Sequence, residues 1–360
     1  MVDVLVIGAG IVGSWVARYL AERGRSVVVC DAATRPGDGI TGRNSGVIHA
    51  GIYYPPDSAK ARHCLRGRRL LLEFAARHDV PHEVCGKLSV TGHQTDETRE
   101  AAAARLHQLY ENAQASGAEN LELLAHPGRE YPGVPGELAI HSKGSGVVDP
   151  AAYHSAVRHF AEDAGAIFLP GRRFLEGAAG EARFRAPDGE TETIVAGQVV
   201  NAAGLFSDDV ARAFGLRDYE IRPNRGEYYR LRRPLPYRKL IYPLPATDST
   251  ALGVHYTFQP DGEAYAGPNS VWADHKEDYD ISMAAAPFAE SLARILDVYQ
   301  PEDLTPGYSG LRPRLFQRGE ALRDYLIAEE PAGVWHVLGI ESPGLTAAAS
   351  LAEEVAGRLG

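Results

Sequence analysis

The chain has 360 residues with 47 acidic and 37 basic side chains, a formal net charge of −10, 38 glycines and 23 prolines. That length exceeds the size at which one hydrophobic core keeps growing, so two domains are expected. The negative charge argues against a nucleic-acid partner, but not against an anionic small molecule, because a few focused arginines outweigh a diffuse negative surface.

Cys30, Cys64 and Cys85 show neither metal-ligand spacing nor a paired framework, and read as free thiols of a reducing compartment. The histidines are scattered, so no metal site is expected. The first residues lack a secretory leader pattern and no apolar run approaches a membrane span. A cytoplasmic location follows, with peripheral membrane contact left open.

In chain order, the first element is a buried-strand pattern, Val4 to Ile7. A turn follows, Gly8-Ala9-Gly10-Ile11-Val12-Gly13, then a helical stretch with apolar Val12, Val16, Tyr19 and Leu20, ended by Gly24. Val27 to Val29 form a second strand closing on Asp31. In such a unit Gly8 makes the turn, Gly10 lets the backbone approach a pyrophosphate, and Gly13 lets helix and strand pack closely. The helix N-terminus, from Ile11 and Val12, offers free amides and a positive dipole end to the phosphates. Asp31 stands where a carboxylate accepts from an adenosine ribose, which disfavours NADP but does not separate NAD from FAD.

The next segment separates them. A second crossover helix would normally follow; instead ATRPGDGITGRNSG, Ala33 to Gly46, continues as loop toward a longer cofactor. Arg43, Asn44 and Ser45 are placed to hold phosphate or ring oxygens, and Gly46 permits close backbone approach. The run RNSGVIHAGIYY, Arg43 to Tyr54, then sets His49 among small and apolar residues.

Helical patterns cover Ala59 to Arg77, Glu97 to Ser116, Ala151 to Gly165 and Phe288 to Tyr299, and the last helix starts near Thr346. Short β-like runs fill 166–201 and 225–270, which suggests a mixed second layer. VVNAAG reads as a strand meeting the cofactor through small residues, with Ala203 and Gly204 at its end. GVWHVLGIESPGLT reads as strand, loop and helix start, with Gly339, Ser342, Gly344, Leu345 and Thr346 as further cofactor contacts.

TGRNSGVIHAGIYY resembles the L-2-hydroxyglutarate oxidase/dehydrogenase group of the D-amino-acid-oxidase-like flavoproteins. The same pattern extends through GKLSV (Gly86–Val90), NAAG (Asn201–Gly204), RGEYY (Arg225–Tyr229) and LGVHYTFQPDGEAYAGPN (Leu252–Asn269). YSGLRPRL (Tyr308–Leu315) and GIESPGLTAAASLAEEV (Gly339–Val355) complete it. Ala349, Asp31 in place of a glutamate, and the loosely similar segment 93–145 depart from it. The resemblance implies an α/β fold, α+β overall: a Rossmann-like FAD-binding domain from 1–90, 146–220 and 320–360, and a discontinuous mixed-sheet substrate domain from 91–145 and 221–319. It implies FAD as cofactor and a small anionic 2-hydroxy (or 2-amino) acid as substrate.

Oxidising a 2-hydroxy acid removes a hydroxyl proton and an α-carbon hydride, so the protein must supply orientation, a base and a carboxylate clamp. His49 is the base candidate, since a neutral imidazole accepts a proton near neutral pH. Its alternatives are a ring contact or a covalent link to the flavin. Tyr53 or Tyr54 would bond substrate or ring. Arg312, between Gly310-Leu311 and Pro313, is the candidate clamp, with His255 as a second polar group and Arg225 as a further candidate. Lys60 and Arg62 read as ribose, phosphate or surface contacts, and Ser207 as a helix N-cap. An L-2-hydroxy-acid dehydrogenase is expected, with an amino-acid or amine oxidase as the alternative and a flavin-binding protein without turnover as the rival from another class. Dioxygen, a quinone or a carrier flavoprotein would each serve as electron acceptor.

Overall fold

The computed structural model describes residues 1–93, 97–245 and 252–360. Positions 246–251 of the β-like run 225–270, and 94–96 of the segment 91–145, lie outside the described residues.

The opening apolar run forms the strand Val2–Ile7, buried from Val4 onward. It pairs in parallel with Val27–Asp31 on one side and with the second half of Thr191–Asn201 on the other. The parallel series continues outward to Ile167–Pro170 beyond Val27–Asp31, and to Val334–Leu338 beyond Thr191–Asn201. Strand side chains alternate between faces, and here both faces are apolar because both are covered. Val4 and Val6 pack with the helices Ile11–Ala21, Pro150–Asp163 and Gly344–Arg358, whereas Leu5 and Ile7 pack with Phe184, Val210 and Phe214.

The β-like run 166–201 does not join a second layer as expected. Arg173–Ala178 and Glu181–Arg185 form a hairpin that pairs antiparallel with the first half of Thr191–Asn201, within the first sheet. The physical reason is length: the 11-residue strand serves the hairpin with one half and Val2–Ile7 with the other.

The second sheet is built on two long antiparallel strands, Tyr219–Leu231 and Leu304–Gln317. It continues through Ala264–Ala266, Tyr256–Phe258, Leu240–Pro243, Lys87–Val90, Leu138–Ser142 and Leu121–Ala125. Leu240–Pro243 and Lys87–Val90 run parallel, so this sheet is mixed. The helix expected over Phe288–Tyr299 spans Ala285–Ala293 instead. Ile295, Leu296 and Tyr299 still enter the core beneath it without helical backbone. The sequence-based domain division stands as our proposal. Lys87–Val90 and Glu320–Leu322 pair in the second sheet, although the boundaries at 90 and 320 assign them to the first domain.

The helix Ala59–Arg77 has the bounds its sequence pattern gives, and Ser58 Oγ caps it by accepting from Ala61 N at 3.1 Å. It crosses the carboxy-terminal helix at Gly67, where a Cβ would collide with Thr346 O and the Ala347 backbone. On an open helix face Gly→Ala stabilises by about 1 kcal/mol. At this crossing the sign reverses: Gly67→Ala is expected to lower stability by about 2 kcal/mol through overpacking, read as the urea midpoint. A raised midpoint would remove the close crossing.

Candidate active site

The carboxyl ends of the parallel strands converge on one cavity of about 1470 Å³, where open α/β sheets bind their ligands. This exceeds the usual range for a drug-sized ligand, about 300–1,000 Å³, and has room for an elongated dinucleotide together with a small substrate. Gly8, at φ +107°, turns the chain out of the first strand; a Cβ there would run into Ala202 O. Gly13 stands behind the cavity wall, where its missing Cβ lets the helix sit directly on Gly8 O. Gly10 is different. A Cβ there would crowd the Thr41 side-chain oxygen at 3.1 Å but would meet no backbone, so the protein's own packing demands glycine less here than at Gly8 or Gly13. Gly10, Ile11 and Val12 line the cavity; Thr41 Oγ1 accepts from Ile11 N at 3.0 Å and the N-cap Gly10 offers no side chain, so the amides beyond Ile11 are left at a helix start that faces the cavity and suits an anion.

Asp31 closes the second strand and lines the cavity. Its Oδ2 accepts from Ala9 N at 2.6 Å and its Oδ1 from Ala33 N at 2.8 Å. Burial raises the carboxyl pKa, and the two amides pull the other way. Two of roughly four acceptor positions on a carboxylate are thus used to fix the turn, and the others remain for a ribose.

Arg43, Asn44 and Ser45 also line the wall. Asn44 holds the loop's shape: its Nδ2 donates to Ile40 O and Thr41 O, and its Oδ1 accepts from Gly46 N. The Arg43 guanidinium lies 4.4 Å over the Tyr279 ring, and its carbonyl rests where a Gly310 Cβ would be, so YSGLR is the track on which this loop is laid. Ala203, Gly204, Ser342, Gly344 and Leu345 line the same cavity. Gly339 and Thr346 do not. Gly339 packs on Leu315, while Thr346 Oγ1 accepts from His49 N and donates to Val47 O, both at 3.1 Å, clipping the last helix onto the segment Val47 to His49.

His49, Tyr53, Tyr54, Tyr228, Tyr242, His255 and Arg312 come together on the wall. His49 is buried; its Nε2 lies 3.2 Å from Ser342 Oγ and its Nδ1 has no hydrogen-bond partner among the described residues. Burial first, then the charges of Lys87 and His255, holds its pKa well below the ordinary histidine value. His255 Nδ1 lies 2.7 Å from Gly253 O, which can only accept, so the proton sits on Nδ1 and Nε2 is a buried, unpartnered acceptor. Burial lowers the His255 pKa to about 3, with Lys87 and Arg312 adding to it. The ring stacks on Tyr242 at 3.6 Å. Tyr53 is fixed by a 2.6 Å bond between its hydroxyl and Ser89 Oγ.

Arg312 donates from Nη1 to Asn224 Oδ1 at 2.9 Å and from Nη2 to Asn269 O at 3.0 Å. Gly226 makes room for it, since a Cβ there would sit 2.7 Å from Nη2. Among the described residues no carboxylate pairs with it, and two of five guanidinium donors are used. The other candidates are spoken for. Arg225 is buried between Glu227 and Asp278 in a structural ion pair and does not line the cavity. Lys60 is buried and pairs with Glu341 at 2.7 Å, a carboxylate shared with Arg314. Arg62 is exposed and donates to Asp57 O. Ser207 does not cap its helix: it is the first helical residue, donating to Gly204 O, because the chain enters through a 3₁₀ turn at Gly204–Phe206.

Sequence reasoning overlooked three groups. Glu341 gathers Lys60 and Arg314 beside the His49 partner Ser342. His154 Nε2 reaches Ala9 O at 2.8 Å and Ser14 Oγ at 3.1 Å beneath the glycine turn. Lys87, in the quoted GKLSV, is fully buried behind Tyr53 and Tyr242. Its signal is a lysine and a serine two apart in an apolar strand, hence on one face.

The FAD dependent oxidoreductase family (DAO) matches residues 3–358. The chain is 31% identical to the mitochondrial L-2-hydroxyglutarate dehydrogenase of Arabidopsis thaliana, covering 99% of this chain and 83% of that protein. It is 29% identical to the L-2-hydroxyglutarate dehydrogenase of Indibacter alkaliphilus, over 97% and 96% of the two. In fold it is similar to the FAD-bound L-alpha-glycerophosphate oxidase of Mycoplasma pneumoniae, with TM-score 0.88, 22% identity, and 99% and 94% of the two chains covered. It is also similar to the glycine oxidase of Bacillus cereus, with TM-score 0.79, 20% identity, and 100% and 95% covered. With a glycine turn whose helix start faces the cavity at Gly10, and a cavity large enough for a dinucleotide, this chain belongs to the DAO family of FAD dependent oxidoreductases.

Proposed function

We propose that the chain dehydrogenates a small L-2-hydroxy carboxylate, L-2-hydroxyglutarate or a near analogue, to the 2-oxo acid. The observation that carries this is the Arg312 guanidinium without a carboxylate partner on the same cavity wall as two neutral histidines. That combination suits an anion bearing a hydroxyl. A cationic amine would require a carboxylate, and Glu341 is already neutralised by Lys60 and Arg314. The named activity of the relatives supports the same reading.

Gly10, Ile11, Val12 and Asp31 would hold the pyrophosphate and ribose, and Arg43, Asn44, Ser45, Ala203, Gly204, Ser342, Gly344 and Leu345 the remainder of FAD. FAD, when bound, supplies the hydride acceptor. Arg312 grips the substrate carboxylate in a bidentate pair. The unpartnered nitrogen of His49 takes the hydroxyl proton as the hydride leaves the α-carbon, and His255 Nε2 accepts a second hydrogen bond. A carboxylate held beside these rings raises their proton affinity by coulombic attraction, opposing the effect of burial. Tyr53, rigid on Ser89, closes the pocket. Dioxygen, a quinone or a carrier flavoprotein is the proposed class of final acceptor.

Anaerobic addition of L-2-hydroxyglutarate to the yellow protein should bleach the flavin spectrum, and His49→Ala should stay yellow and oxidised over the same interval. A wild type that does not bleach removes the substrate; a variant that bleaches at the wild-type rate removes His49 as the base. Arg312→Lys should raise KM at least about tenfold, equivalent to ~1.4 kcal/mol, because a point charge replaces a planar fork; an unchanged KM takes Arg312 out of the clamp. Gly10→Val should purify folded but colourless, with an apoprotein urea midpoint near that of wild-type apoprotein. Full FAD content in that variant would contradict the pyrophosphate assignment.

A further inference from the structure

Lys87 is fully buried in the strand Lys87–Val90, and its Nζ has no hydrogen-bond partner among the described residues. The ammonium group lies 4.3 Å from the Tyr53 ring centroid and 4.8 Å from that of Tyr242, which also carries the stacked His255. Among the described residues neither a carboxylate nor a carbonyl compensates it. Burying such a group costs several kcal/mol, and a methionine of the same length would fill the slot without that penalty. Uncompensated groups of this kind concentrate at functional sites.

We propose that Lys87 is a positioning residue of this site: its ammonium, held behind Tyr53 and Tyr242, keeps His49 and His255 neutral and attracts the carboxylate bound in front of them. The proposal rests on the reading that the site takes a small carboxylate anion. Lys87 does not line the cavity, so it acts through the aromatic layer and through its field. It is the first charge, after burial, that lowers the proton affinity of His49. The groups packed around it are Tyr53 and His49 from the 43–54 loop, Cys64 from the helix, Tyr242 and His255 from neighbouring strands, and Ser142 opposite in register. Burial raises the Tyr53 and Tyr242 hydroxyls and pushes the Cys64 thiol up to about 12, while His49 and His255 are held low. Burial brings Lys87 itself down to about 7. Between pH 6.5 and 9 it is therefore the group in this set that changes charge. The protonated form favours the bound anion, so affinity is full below pH 7 and is lost as pH rises through the Lys87 pKa.

The test uses FAD-loaded protein and 2-oxoglutarate as the probe, with binding followed by the flavin absorbance change from pH 5.5 to 9. Wild-type affinity should fall with rising pH, whereas Lys87→Met and Lys87→Gln should bind about tenfold more weakly at pH 6 and show no further fall from pH 7 to 9. With turnover, the acid limb of kcat/KM should move up by about half a pH unit or more in both variants, because removing a cation stabilises the histidinium forms. FAD content should be retained and the urea midpoint of Lys87→Met should equal or exceed wild type; a lowered midpoint with unmoved pH profiles makes Lys87 structural and overturns the proposal. A wild type that turns over L-2-hydroxyglutarate while both variants keep its profiles also overturns it, and leaves the reaction reading intact. An inert wild type that binds 2-oxoglutarate with a Lys87-dependent pH profile supports the proposal and removes the reaction reading instead.

Discussion

The closeness with which the first helix sits on the end of the first strand governs the rest of this molecule. Gly8 and Gly13 have no side chains, and any Cβ at either would drive into backbone. That contact puts the helix start directly over the carboxyl end of the central strand, with Val27–Asp31 and Thr191–Asn201 on either side. Asp31 then ties the turn to the second strand through Ala9 N, and Ala202 N bonds back to Ile7 O. The cavity exists because these three strand ends stop together, and the loop from Ile40 to Gly46 is laid along it against Gly310 of the second sheet.

A second consequence is dryness. His49, His255 and Lys87 are each at least nine-tenths buried, and each keeps a polar atom unpartnered among the described residues. Interiors do not tolerate such atoms without cause, because an unmade hydrogen bond costs the full desolvation of the group. Three of them within one electrostatic neighbourhood describe a site prepared for a polar ligand more than a core with packing errors.

Much of this was legible in the sequence, and what was not has physical reasons. The glycine turn and Asp31 are local, so spacing alone located them. The helix over Ala59–Arg77 carries its own cap and apolar stripe. His49 and Arg312 were legible as polar groups in otherwise rigid, apolar surroundings. Arg225 was not separable from Arg312 until its strand partner Glu227, two residues on and so on the same face, was seen to hold it with Asp278. The second sheet hid Lys87, since its burial comes from Leu240–Pro243, about 150 residues away in the chain. The placement of 166–201 failed for a related reason: a β-run reports a strand but not which of two sheets receives it.

The arginines and lysines around the cavity are sorted by their partners, and the sorting decides what the cavity attracts. Arg225 is neutralised by two carboxylates, and Lys60 and Arg314 share Glu341. Among the described residues Arg312 and Lys87 have no carboxylate partner. A chain with net charge −10 thus keeps a local positive field at one place, where the low dielectric around Tyr53, Tyr242 and His255 lets it act at close range. Arg312 faces the cavity with donors to spare, and Lys87 lies behind the rings with none of its donors used among the described residues. The first can bind a carboxylate directly and set its orientation. The second cannot touch it, and so contributes attraction without competing for geometry. This division of labour is what an anion-binding site needs when the anion must sit in one pose against a fixed hydrogen-bond acceptor.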